Sequence, residues 1–236
     1  MASSFPQAEF FNRMAVNYAR QTGNSTAVLF LSSWDDINAL KPITSTSVIH
    51  DNAGGRGTAT SVIVEKFEPN IPEILITDNN GIMVAVASDA FAAHPSITAQ
   101  QMDSVGLTLP NNHYTHLITN FSIFLFPDPR AIRPDLPVMP TQGIEFMEEG
   151  VAAKTMEQAG FDPAKMNVLE KVFVATGDAL DGLKEFLLTD LAGIATEGWS
   201  DQEKQKWPGA VDAAFKEEVD GYGGMRFEAW VVLAKK

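Results

Sequence analysis

VIHDNAGGRGTAT, residues Val48 to Thr60, is the stretch whose reading decides the fold. A β-branched run at Val48 and Ile49 leads to an acid at Asp51, then to Gly54, Gly55 and Gly57, and then to TATSVIVEKF, which reads as a helix. Small residues in such a turn let the backbone approach a ligand, and the first helical turn presents free N–H groups to an anion. The pattern D-x-A-x-G-x-G formed by Asp51, Ala53, Gly55 and Gly57 is loose. By itself it fits a plain strand-to-helix turn, a dinucleotide loop or another cofactor's loop.

The segments on either side repeat the same alternation. PEILITD reads as a second strand, GIMVAVASDAFAAH as a helix, SITAQQMD as a short strand, and HYTHLITNFSIFLF as a fourth strand running into PDPRAIRPDLPVMP, where five prolines in fourteen residues forbid regular structure. Ahead of the loop, PQAEFFNRMAVNYARQT (6–22) spaces Phe10, Phe11, Met14 and Tyr18 as one helix, and STAVLFLSSWDDINAL reads as another. Behind it come a helix at GVAAKTMEQAG, a strand at MNVLEKVFVAT, helices at DALDGLKEFLLTDLAGI and SDQEKQKWPGAVDAAFKEEVDGY, and a closing strand at MRFEAWVVLAKK. Strand and helix in alternation predict an α/β fold, a Rossmann-like, mostly parallel sheet flanked by helices.

In such a sheet ligands bind at the carboxyl ends of the strands. Asp51 sits there on the first strand, Asp78 ends the second, 21 positions after Gly57, and Asp103 follows the third beside Met102. An acid in the place of Asp78 accepts hydrogen bonds from the two hydroxyls of a ribose. One in the place of Asp103 accepts from an exocyclic adenine amine while a thioether packs on the ring. Each acid alone reads as a strand-end or helix-cap residue, but three at successive strand ends form a constellation.

With these residues in view, VIHDNAGGRGTAT, ILITDNNGIMVAVA and ITAQQMDSVGLTLPNNHYTHLITNFSIFLFPD together resemble the successive motifs of the class I S-adenosylmethionine-dependent methyltransferases. The likeness is greatest to small fungal enzymes of secondary metabolism, whose loop often reads DNACGTG, and it extends to FNRMAVNYAR and RFEAWVVLAKK. It implies S-adenosyl-L-methionine as cofactor and a single domain over 1–236, made of a helical cap (1–40), a cofactor-binding half (41–129) and a C-terminal half (130–236) ending in an antiparallel strand. Asp51, Ala53, Gly55 and Gly57 would surround the methionine part, Asp78 the ribose, Asn79 and Met83 the nucleoside, and Met102 and Asp103 the adenine. Asn120 and Phe121 would face the sulfonium and the acceptor, with Tyr18 and Arg20 closing over the cofactor. Phe10, Phe11, Met14, Met139 and Trp199 would receive a small, apolar or aromatic acceptor. Core packing is an equal reading for Tyr18 and Phe121.

The chain departs from that pattern in two places. Gly54 and Arg56 stand where the fungal enzymes commonly carry Cys and Thr, and Arg56 is expected either to reach solvent or to pair with an acid. After the fourth strand the sequence passes from FPDP straight to RAIRPDLP, so a strand-helix unit of roughly 30 residues is missing between Pro129 and Arg130. The sheet would then lack a central strand, or close by pairing the fourth strand with the last.

Composition narrows the function further. Seventeen Lys and Arg against thirty Asp and Glu give a formal charge of −13, which opposes nucleic-acid binding. There is no cysteine, the four histidines show no metal-ligand spacing, and no apolar run is long enough to span a bilayer. His50 is expected inside the sheet, His113 and His116 in a polar turn before the fourth strand, and His94 at a helix end; none reads as a general base. Without a basic region followed by an apolar core, the N-terminus does not read as a secretory signal, and a cytosolic setting is the expectation. Two rival functions remain. A dinucleotide-dependent oxidoreductase would use Gly55, Gly57 and Asp78 but meets Thr60 in place of its third glycine, and a cofactor-binding pseudoenzyme or regulatory partner would keep the loop without the chemistry.

Overall fold

The computed structural model describes residues 7–122, 148–196 and 199–235. The helices α1 (Gln7–Met14), α2 (Tyr18–Gln21), α3 (Ser25–Ser32) and α4 (Trp34–Leu40) precede β1 (Val48–Asn52). Then follow α5 (Thr58–Phe67), β2 (Glu73–Asp78), α6 (Gly81–Ala90), β3 (Ile97–Gln101) and β4 (His116–Ile118). Beyond residue 147 lie α7 (Val151–Gln158), β5 (Met166–Ala175), α8 (Gly177–Leu188), α9 (Ala192–Ala195), α10 (Asp201–Lys204), α11 (Trp207–Tyr222) and β6 (Met225–Ala234).

The strands β1 to β4 form a parallel sheet in the order β3-β2-β1-β4, with Ile49 opposite Ile74 and His116, and Ile74 opposite Ile97. A parallel strand in mid-sheet is covered on both faces. β1 accordingly buries four of its five residues. Ile49, Ile63, Ile74 and Ile76 are almost fully enclosed, with Phe30, Ala59, Ala87, Phe91 and Ile97 around them. Full burial of one such isoleucine stabilises the fold by about 1.5–3 kcal/mol. The chain winds outward from β1 through β2 to β3 and then returns past β1 to β4. That reversal opens a crevice at the carboxyl ends of β1 and β4, the place where open α/β sheets bind ligands.

Strands β5 and β6 pair antiparallel over ten residues, with Phe173 and Phe227 stacked at 6.1 Å between ring centroids. They form a sheet of their own. A second core lies beside them, in which Met14 meets Leu183 and Phe186 of α8 and Val211 and Phe215 of α11.

The α/β class and the antiparallel last strand agree with the sequence reading. Several expected boundaries do not. The helix expected over 6–22 breaks into α1 and α2, with a turn closed by the Asn17 N–H donating to the Met14 carbonyl at 3.0 Å. The helix expected over STAVLFLSSWDDINAL breaks at Ser33, because the Ser32 and Ser33 hydroxyls both donate back to the Leu29 carbonyl, at 2.8 and 3.0 Å. DALDGLKEFLLTDLAGI divides into α8 and α9, and α11 starts afresh with Pro208 in its first turn, where its missing N–H is harmless. The fourth strand is three residues long within the described stretch, and its remaining residues from 123 onward, with the Pro129–Arg130 junction, lie outside the described residues. Among the described residues β6 pairs with β5 and β4 with β1, without the expected pairing of the fourth strand with the last. His116 is the first residue of β4 rather than part of the preceding turn.

Candidate functional site

The glycine loop leaves β1 at the crevice. Gly57 caps α5 at φ +83°, and a Cβ there would stand 2.5 Å from Phe91 Cε2 and 2.9 Å from Ile76 Cδ1. A side chain would meet both backbone strain and the core. At Gly54 a Cβ would lie 2.7 Å from the Asp51 carboxyl carbon, so a side chain there would require the Asp51 carboxylate to shift. The loop is held across the sheet by the Gly54 N–H donating to the Thr77 carbonyl at 3.0 Å and the Gly55 N–H donating to Asp78 Oδ2 at 2.9 Å.

Asp78 Oδ1 accepts from the Asn80 N–H at 2.8 Å, and Asn80 caps α6 by accepting from Ile82 and Met83 at 2.9 and 3.1 Å. Each carboxylate oxygen can accept more than one bond, so Asp78 keeps acceptor capacity toward the crevice. Burial raises its pKa, opposed by the N–H groups of Asn80 and Gly55. Asp51 is wholly enclosed, and burial pushes its carboxyl up to about 6 against the hydrogen bonds from Thr60, with the charge of Asp78 adding to the rise. Thr60 Oγ1 donates to Asp51 Oδ2 at 2.7 Å, while Asp51 Oδ1 has no partner. Tyr18 is pushed up to about 12, first by burial and then by the charge of Asp78.

These residues wall a cleft of about 320 Å³. Of the residues singled out from the sequence, Phe11, Tyr18, Asp51, Ala53, Gly55, Asp78, Asn79, Met83, Asp103, Asn120 and Phe121 line it. Asp103 stands at the rim beyond the end of β3 and caps the 3-10 turn Ser104–Gly106, accepting from the Val105 N–H at 2.9 Å. Asn120 joins the two walls by donating to the Thr26 carbonyl at 3.1 Å. Ala53 and Phe121 face the cleft with φ of +50° and +54°, a left-handed backbone that non-glycine residues hold only when their surroundings impose it.

Other residues singled out stand elsewhere. Arg20 pairs with Glu185 at 2.6 Å and packs its stem against Gly182, fastening α2 to α8. Met14 belongs to the second core, where Phe10 packs against it, and the Phe10 ring lies 6.0 Å from Phe186. Trp199 meets Trp207 edge-on. Gly57 acts on the cleft only through the loop, and Met102 ties β3 to β2 by its N–H to the Asp78 carbonyl at 2.9 Å. Met139 lies outside the described residues. Arg56 forms no ion pair among the described residues, and its Nη1 donates to the Val16 carbonyl at 2.9 Å in an exposed bond. His50 is buried as expected, bonded to Thr77 Oγ1 at 2.8 Å, and burial lowers its pKa.

Sequence reasoning missed Thr26 and Ser122. Both line the cleft, both are buried, and the hydroxyl oxygen of each lacks a hydrogen-bond partner, as does Asp51 Oδ1. Buried polar atoms are nearly always paired. Three orphans around one crevice mark a space shaped for a polar ligand. Serine and threonine carry no local signal that would have revealed them. Among the described residues no helix is long and apolar enough to cross a membrane, and no three His, Asp or Glu side chains cluster as metal ligands.

No family model matches the chain, and no curated protein does. Solved structures do resemble it. A Methanococcus maripaludis protein provisionally described as an S-adenosyl-L-methionine-dependent methyltransferase is 18% identical, with 55% of this chain and 57% of that one covered and a TM-score of 0.41. YcgJ of Bacillus subtilis is 15% identical over 85% of this chain and 96% of its own, at 0.46. Phosphoethanolamine N-methyltransferase 2 of Haemonchus contortus, crystallised with S-adenosyl-L-methionine, is 13% identical over 86% of this chain and 52% of its own, at 0.46. The chain spans about half the length of the archaeal proteins that it matches. At these scores the functional reading rests on this chain's own cleft.

Proposed function

We propose that the cleft binds S-adenosyl-L-methionine and that the chain transfers its methyl group to a small, apolar or aromatic metabolite. The observation that carries this reading is the crevice at the strand-order reversal, with Asp51 Oδ1, Thr26 Oγ1 and Ser122 Oγ buried and unpartnered around it. Asp78 holds the ribose hydroxyls, Asn79 and Met83 lie along the nucleoside, and Asp103 with Ser104 meets the adenine edge. Asp51, Ala53 and Gly55 surround the methionine part, and Asn120 and Phe121 face the reacting centre. Thr60 supports the choice of cofactor over a dinucleotide, because its side chain occupies the third-glycine position and is spent on Asp51.

The sulfonium supplies its own activation, since the methyl carbon leaves sulfur as the new bond forms and the sulfur departs as a neutral thioether. The chain's task is placement. The Phe11, Tyr18 and Phe121 rings wall the cleft against water and give an apolar or aromatic acceptor its surface. The high pKa of Tyr18 keeps it a neutral hydrogen-bond donor, and no histidine stands among the described residues that line the cleft. Likeness of the loop to small fungal secondary-metabolism enzymes supports a metabolite as acceptor. It also supports reading Pro129–Arg130 as the scar of a lost strand-helix unit; the parent gene's length across the junction tests that point.

Calorimetric titration with S-adenosyl-L-methionine, S-adenosylhomocysteine and NADH tests the whole reading. Binding of the first two and not of NADH is the expected result. Binding of none sinks the cofactor assignment, and binding without turnover on any acceptor favours a pseudoenzyme.

A further inference from the structure

Three carboxylates, Asp51, Asp78 and Asp103, line the cleft, and among its described lining residues Arg56 is the sole cation. S-adenosyl-L-methionine carries a carboxylate at the end of its amino-acid part, and that group entering an acidic cleft meets repulsion unless a fixed positive charge receives it. Arg20, on the cap side, is committed to Glu185. Arg56 is not committed in this way. Its one hydrogen bond goes to a neutral acceptor, the Val16 carbonyl in the turn between α1 and α2, and among the described residues it forms no ion pair. The guanidinium fork keeps further N–H groups for a planar carboxylate.

Resting on the cofactor reading above, we propose that Arg56 is the residue that receives the cofactor's carboxylate. The arginine stands in the glycine loop where the resembled enzymes carry a small polar residue, so this anchor belongs to this chain. Its position suits the part: Arg56 directly follows Gly55, whose N–H is already turned onto Asp78, and it precedes the first turn of α5, where Thr58 and Ala59 also line the cleft. A carboxylate there meets both the guanidinium and the positive end of a ten-residue helix. The bond to Val16 gives the same side chain a second task. It ties the loop to the cap that carries Phe11 and Tyr18, so that a carboxylate bound by Arg56 is held next to the rings that cover it.

The test uses a ligand pair that differs only in the carboxylate, S-adenosyl-L-methionine and its decarboxylated form, titrated calorimetrically into the wild-type chain, Arg56→Ala and Arg56→Lys. The wild type should prefer the carboxylated form. Arg56→Ala should lose roughly tenfold to a hundredfold in affinity for S-adenosyl-L-methionine, the range for a hydrogen bond to a charged group, with its affinity for the decarboxylated form unchanged; Arg56→Lys should recover part of the loss. Equal weakening of both ligands in Arg56→Ala overturns the proposal in favour of a role in holding the loop, and so does unchanged affinity for S-adenosyl-L-methionine. Failure of the wild type to bind either ligand is a different result, which removes the cofactor reading itself. Circular dichroism of each variant keeps a folding defect separate from a binding one.

Discussion

The two cores of the molecule are built on opposite terms. Around the parallel sheet lie Ser25, Thr26, Ser33, Ser47, His50, Asp51, Asn52, Thr60, Thr77 and Ser122, all buried and polar. Around α8, α11 and the β5–β6 pair, the buried polar residue among those described is Thr196, and its hydroxyl is satisfied by the Ala192 carbonyl at 2.7 Å. The second core is mainly apolar packing, with a buried unpartnered oxygen at its edge, Gln21 Oε1, whose amide nitrogen donates to Asp190 Oδ2 at 2.7 Å. The first carries buried acceptors without donors and a carboxyl whose ionisation is opposed by its surroundings, which lowers stability. Such a cost is retained where a ligand supplies the missing partners.

That contrast can be broken by mutation. Phe215→Ala, in the apolar core, should destabilise the chain most, by about 3–5 kcal/mol in chemical denaturation, and leave the affinity of the folded fraction for S-adenosyl-L-methionine unchanged. A loss of affinity would show that the two cores are not separable.

Asp51→Asn probes the polar side. Its folded pKa, about 6, lies above the 3.8 of an ordinary carboxyl. The folded state therefore holds the proton more tightly than the unfolded chain, so stability is unaffected below about pH 4, falls as pH rises toward 6, and stays lowered above. Asparagine does not titrate. The stability difference between variant and wild type should shift in the variant's favour by about 2 kcal/mol between pH 4 and 6.5, read from denaturation midpoints across that range. A flat difference would show that Asp51 is ionised freely.

Asp78→Ala should weaken S-adenosyl-L-methionine by about 1.5–3 kcal/mol in calorimetry. Unchanged affinity would remove Asp78 from the ribose. The smallest effect is expected at the join between the two regions, where Lys171 of β5 meets Asp36 of α4 at 2.6 Å in a partly exposed pair. A double-mutant cycle there should give a coupling of about 0.2–1 kcal/mol, and a larger value would mean that the regions stabilise one another through more than packing.

Much of the polar core was legible in advance because it follows local rules. The glycine loop, the acid ending β2 and the alternation of strand and helix are written at fixed spacings, and they led to eleven cleft residues that the fold does bring together. Arg20 misled because spacing places a residue on a helix but not on one side of it; Glu185, far along the chain, decides which way it turns. Met14 and Phe10 misled for a related reason, since an apolar residue on a cap helix serves a pocket or a core equally well until α8 and α11 are in place.

By itself, then, the sequence determined the parallel α/β scaffold and the stretch at Val48–Thr60 where a ligand would enter, because backbone demands such as a positive φ at Gly57 and the hydrophobic period of β1 and β2 act over a few neighbouring residues. Only the tertiary structure decided which polar atoms are left without partners. Thr26 and Ser122 stand almost a hundred positions apart in the chain, and their burial beside Asp51 arises only once β4 has returned to lie against β1. Hydrogen-bond satisfaction in a core is a sum over distant neighbours, and no local pattern carries that sum.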